Sequence, residues 1–114
     1  MAIIRHNAGP RLSGAVVHGN TVYLAGQVSA DAPTVQGQTE LILKKIDALL
    51  EAAGSSKSKL LSATIYLANI GTYDEMNAAW DAWVDRAGPP ARATMEARLA
   101  APRYLVEIAA IAAV

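Results

Sequence analysis

Two charged side chains stand on segments whose patterns fix the direction in which a charge can point. In "PPARATMEA" (residues 89–97), Ala91, Ala93, Met95 and Ala97 alternate with Arg92, Thr94 and Glu96. That is the period of two expected of a half-buried strand, so the Arg92 guanidinium is aimed by the backbone. Fifteen residues later, Glu107 is the one charge in the apolar run "YLVEIAAIAA" (104–113). So uniformly apolar a strand predicts cover on both faces. A carboxylate there must be paired, hydrogen-bonded or protonated, since an unpaired buried charge costs several kcal/mol. Two chemistries fit. Arg92 and Glu107 can form a structural ion pair that fixes register or a subunit contact. Alternatively, Arg92 grips a ligand carboxylate bidentately while Glu107 moves protons to and from a water.

Other reactive groupings are sparse. His6 and His18 are separated and cysteine is absent, which leaves no basis for a metal site, a disulfide, a thiolate nucleophile or a Ser-His-Asp triad. The glycines form neither G-x-G-x-x-G nor a P-loop, so nucleotide cofactors lack support. Trp80 and Trp83, three apart, read as core anchors. Asn77 shares a helical edge with Tyr73 and Trp80, a position from which it can cap a backbone or touch a ligand.

The elements that position these residues follow from periodicity. "AVVH" and "TVYLAGQ" flank Gly19-Asn20, a two-residue hairpin signal. Thr34 is placed to cap a helix running to about Ala53, with Ile42, Ile46, Leu49, Leu50 and Ala53 on one stripe and Gly54 beyond its end. "LLSATIYLA" (60–68) alternates as a strand. A second helix spans "TYDEMNAAWDAWV", where Thr72 and Glu75 have capping-box spacing. The residues before the hairpin read as a loop ending near "GPRLSG" (9–14). The expected order is β-β-α-β-α-β-β, an α+β domain over residues 1–114 with both helices on one face of a mixed sheet.

Composition narrows the partners. Ten basic and ten acidic residues cancel and are scattered, unlike the basic face of a nucleic-acid binder. No apolar run approaches the ~18 residues of a membrane span, and the amino terminus lacks a signal-type core, so the expected location is cytoplasmic. The chain is 53% hydrophobic and 18% charged. This aliphatic excess on a short chain predicts that part of its surface is covered by another subunit.

The arrangement resembles the RidA/YjgF family of reactive-intermediate deaminases. "PPARATMEA" and the Glu of "VEI" carry the likeness, and "GNTVYLAGQV", "LLEAAGSSKSKLLSATIYLANI" and "YDEMNAAWDAW" extend it over nearly the whole chain. The resemblance implies a chorismate-mutase-like fold forming a homotrimer around a central barrel, with sites in three clefts between subunits. It implies hydrolysis of 2-enamine or 2-imino acids to 2-keto acids and ammonia, without metal or cofactor. By the same resemblance Arg92 binds the substrate carboxylate and Glu107 handles the water. Asn77, Thr94, Ala25, Gly26 and Leu12 would line the pocket. Leu12 and Ala25 depart from the tyrosine and serine of relatives, and Ala109 replaces a second carboxylate of the usual ending. An alternative is therefore a non-catalytic binder of small carboxylates such as 2-keto acids. The older family labels, ribonuclease or translation inhibitor, fit the balanced charge and isolated histidines poorly.

Overall fold

In a computed structural model describing residues 1–114, six strands and two helices build a two-layer slab of 42 × 37 × 20 Å. The strands are β1 (Ile3–His6), β2 (Ala15–His18), β3 (Thr21–Gln27), β4 (Leu60–Leu67), β5 (Ala91–Glu96) and β6 (Val106–Ala113). The helices are α1 (Val35–Ala52) and α2 (Tyr73–Trp83). Sheet order is β1-β2-β3-β6-β4-β5, antiparallel throughout except for the parallel β4–β5 pair. Both helices cover one face, as the α+β pattern requires.

Local signals behave as their chemistry dictates, with two exceptions. Gly19 opens the β2–β3 turn at φ 63°, a left-handed conformation that a Cβ would strain. The Thr34 hydroxyl accepts from the Gly37 N–H at 3.0 Å to cap α1. At the other end Gly54 (φ 81°) donates to the Glu51 carbonyl, and Ser55 donates to that of Leu50, which is the Schellman arrangement. The first exception is Thr72, whose side chain caps nothing on α2. A 3-10 turn at Ile70–Thr72 precedes the helix, and the Thr72 hydroxyl donates to the Asn69 carbonyl instead. Glu75 reaches across to accept the Gln36 N–H of α1. Capping-box spacing was thus diverted to a turn and an interhelical bond. The second is β1, an additional edge strand within residues expected to be a loop. "IIRH" does not alternate in polarity and is largely exposed, so only its pairing with β2 identifies it.

Alternation decides which side chains meet the helices. Ala63, Ile65 and Leu67 of β4, and Val106, Ile108, Ala110 and Ala112 of β6, are buried beneath α1 and α2. They pack with Ile42, Ile46, Leu50, Met76 and Trp80 in one cluster. The opposite face carries Tyr23, Thr64, Tyr66, Ala109 and Ile111, and no element of the chain covers it. The expectation that β6 is covered on both faces therefore does not hold within one chain. Its outward residues Glu107, Ala109, Ile111 and Ala113 are only half-buried.

Ile65 is fully enclosed on a central part of the sheet. Ile65→Ala should lower unfolding free energy by about 2–5 kcal/mol, measured by urea denaturation. A change below about 1 kcal/mol would show that this face is not the packed one.

Candidate functional site

Arg92 lies on β5, an edge strand, opposite Ala63 of β4. Paired residues share a face, and Ala63 is buried under the helices, so Arg92 points toward the helix layer. There α2 receives it. Nη1 donates to Asn77 Oδ1 at 2.8 Å and Nη2 to the Tyr73 hydroxyl at 3.0 Å. The guanidinium carbon lies 5.2 Å from the Trp80 ring centre and 5.7 Å from that of Tyr73, both within cation–π range. Two bonds and two ring faces thus fix the cation, and its side-chain partners on α2 are neutral.

Thr94, opposite Ile65, shares this face. Its Oγ1 is buried and has no hydrogen-bond partner. Such orphaned groups are rare in native structures, because desolvating a hydroxyl without a partner costs about 1–3 kcal/mol. Glu96 completes the polar set and accepts the Ile70 N–H at 3.0 Å, so it anchors the turn before α2. The apolar alternates of β5 look the other way: Ala91 and Ala93 are exposed, and so is Met95, at 42%. The strand is half-covered as predicted, yet the polar half is the covered one.

Glu107 belongs to the other face. It pairs with Tyr66, three residues along β4 from the partner of Arg92, with regular register between. Three steps is an odd number, so the two charged side chains leave opposite sides of the sheet. An ion pair between Arg92 and Glu107 within one chain is excluded by this geometry. Glu107 instead lines a cavity of about 320 Å³ with Gly26, Tyr66, Ala109 and the loop Ala97–Ala100. Arg98 supplies the only formal positive charge in that lining.

Gly26 lies where β3 loses its register against β6, between Leu24 and Gln27. A Cβ at this position would fall on the Glu107 carboxylate, so the missing side chain makes room for the acid. Gly26 also borders a second cavity of about 490 Å³, with Leu12, Ala25, Leu49 and Lys45 among its walls. Leu12 is 62% exposed there, and the Lys45 ammonium donates to the Val28 carbonyl at 2.6 Å.

The anticipated site residues therefore do not form one cluster. Asn77, Arg92 and Thr94 gather at the α2–β5 edge. Leu12 and Ala25 line one cavity near the end of β3 and Glu107 lines another, with Gly26 bordering both. From the sequence Trp80 reads as a core anchor and Tyr73 only as a neighbour of Asn77 on its helical edge, so their contact with Arg92 is not anticipated. A signal was present: positions 73, 77 and 80 lie on one helical edge. Because the blocking atoms belong to the flexible end of Glu107, Gly26→Ala should move the carboxylate while changing stability by less than about 1 kcal/mol. A crystal structure of the variant should show Glu107 swung away from β3. An unmoved carboxylate would contradict the close approach.

Known proteins share this architecture. Residues 5–114 match the family model described as endoribonuclease L-PSP. A RutC family protein from Haemophilus influenzae is 46% identical over 98% of each chain. The RutC family protein YoaB of Escherichia coli K12 is also 46% identical, over the full length of both. The crystal structure of a YjgF family member from Neisseria meningitidis superposes with a TM-score of 0.97 at 43% identity, covering 99% of this chain and 95% of that one. With matches of this extent in sequence and fold, the chain belongs to the RidA/YjgF family.

Proposed function

We propose that the protein is a hydrolytic deaminase of reactive 2-imino and 2-enamine acids, releasing 2-keto acids and ammonia. The observation that carries this reading is the Arg92 guanidinium, oriented by Asn77 and Tyr73 and left without an acidic partner. A planar cation with donors to spare matches a carboxylate, and membership of this family supports an imine as the group beside it.

In this reading Arg92 holds the substrate carboxylate and Glu107 manages protons. The imine carbon is already electrophilic, so positioning and one base are sufficient. Glu107 takes a proton from water as the water oxygen bonds to that carbon, then passes the proton to nitrogen, giving a carbinolamine. It next removes the hydroxyl proton as C=O forms and returns it to nitrogen. The C–N bond breaks and ammonia leaves. No redox step or cofactor enters the balance.

Since Arg92 and Glu107 leave opposite faces of one sheet, the proposal requires more than one copy. One subunit supplies the α2–β5 wall with Arg92, Asn77 and Thr94. Its neighbour supplies Glu107, Gly26, Ala25 and Leu12. A homotrimer built on the uncovered sheet face fits the exposed Tyr23 and Met95, and the orphaned Thr94 hydroxyl would find its partner in the ligand or the neighbour.

A second reading, a small-carboxylate binder without turnover, is favoured by one feature: neither Leu12 nor Ala25 offers a hydroxyl in the cavity beside Gly26. RNA cleavage has less support. Register sets His6 opposite Ala15 and His18 opposite Ile3, at the two ends of the β1–β2 ladder, where they cannot act as an acid–base pair.

An imine generated by an amino-acid oxidase and trapped with semicarbazide separates these readings. The wild-type protein should slow semicarbazone accumulation, and Arg92→Ala should lose about 10- to 100-fold of that activity. Equal activity of the two proteins would refute the role of Arg92. Ligand-dependent thermal stabilisation without turnover would favour the binder. Light scattering should report a trimer, and a monomer at working concentration would remove the shared cleft.

A further inference from the structure

The partners of Arg92 define more than its place. A guanidinium presents five N–H donors in one rigid plane. Two of its nitrogens point to α2, one at Asn77 Oδ1 and one at the Tyr73 hydroxyl. Neither acceptor carries charge. The acids of α2 are engaged or directed elsewhere: Glu75 binds the Gln36 N–H of α1, and Asp74 and Asp81 are exposed. Rings of Trp80 and Tyr73 cover the cation without neutralising it. The contacts thus fix how the plane is rolled while leaving its charge available.

Tyr73 differs from Asn77 and Trp80 in one respect. It is 41% exposed, and its hydroxyl accepts from Arg92 while making no donation to any protein group. A phenol has one proton to give, and accepting a bond from a cation polarises the O–H and strengthens it as a donor. A carboxylate arriving at Arg92 would therefore meet a third donor adjacent to the guanidinium. Met76, by contrast, is completely buried and Trp80 nearly so, as expected of side chains that serve packing.

We propose that Tyr73 is a ligand-binding residue: it sets the roll of the Arg92 guanidinium and donates its remaining proton to the carboxylate of a bound 2-keto or 2-imino acid. The proposal rests on the reading of Arg92 as the carboxylate receptor. It predicts selectivity for acids whose carboxylate can engage both residues at once.

Titration calorimetry with pyruvate tests it on the wild-type protein, Tyr73→Phe and Arg92→Ala at one ionic strength. Tyr73→Phe should bind about 10-fold more weakly, the loss expected for one hydrogen bond to a charged group, with its melting temperature unchanged. In the deaminase assay it should raise KM while leaving kcat nearly intact, which a purely structural hydroxyl would not do. Faster rotation of the Arg92 guanidinium, read by nitrogen NMR, should accompany the loss. If Tyr73→Phe binds pyruvate as the wild type does while Arg92→Ala does not, the role of Tyr73 is refuted and the receptor stands. If Arg92→Ala also binds normally, or the wild type does not bind at all, the underlying reading fails with it.

Discussion

The two-fold period of a β-strand is the constraint on which the rest of this molecule depends. Arg92 and Glu107 are joined through β4, where their partners Ala63 and Tyr66 are three residues apart. An odd separation sends one side chain into the helix layer and the other out of the uncovered face. No rotamer overcomes that division, because the sheet itself lies between them. Each charge has consequently acquired its own surroundings: a neutral polar and aromatic cradle for the cation, and a glycine-made recess for the acid. The chain thus carries its two charged groups on opposite sides of one sheet.

Much of this was legible in the sequence. Alternation in "ARATME" and in β4 correctly grouped Arg92 with Thr94 and Ala63 with Ile65 and Leu67, because side-chain parity follows from backbone geometry alone. The α1 stripe and its Thr34 and Gly54 ends were equally accessible, being local. What alternation could not supply was the identity of the covered side. On β5 small apolar residues face outward and the polar ones face the helices, an inversion set by where α2 lies. Pairing Glu107 with Arg92 within one chain failed for the same reason: it assumed that two lone charges share a face, which only the register of β6 on β4 decides. β1 escaped notice since an edge strand held by one neighbour needs no apolar pattern.

Family membership and site chemistry bear on function differently. The match over residues 5–114 fixes the fold, and that fold hosts members described by several names, so activity must be argued from the groups present. Here those groups are one cation with free donors, one carboxylate beside a glycine, and one buried hydroxyl without a partner. They suit recognition of a small acid and the movement of a proton. The cavity walled by Leu12, Ala25 and Leu49 offers no side-chain hydroxyl, although Asn7, Gln27 and Lys45 also border it. No helix of the chain is long and apolar enough to cross a membrane.

Division of the site between copies is the central claim, and subunit mixing tests it most directly. Arg92→Ala and Glu107→Ala would each retain about a tenth of wild-type activity or less when alone. When the two are unfolded and refolded together at equal amounts, a cleft that draws Arg92 from one chain and Glu107 from its neighbour is intact in about one case in four. Recovery of about a quarter of wild-type deaminase activity is the predicted result. Refolded mixed oligomers with no activity above that of the separate variants would contradict it.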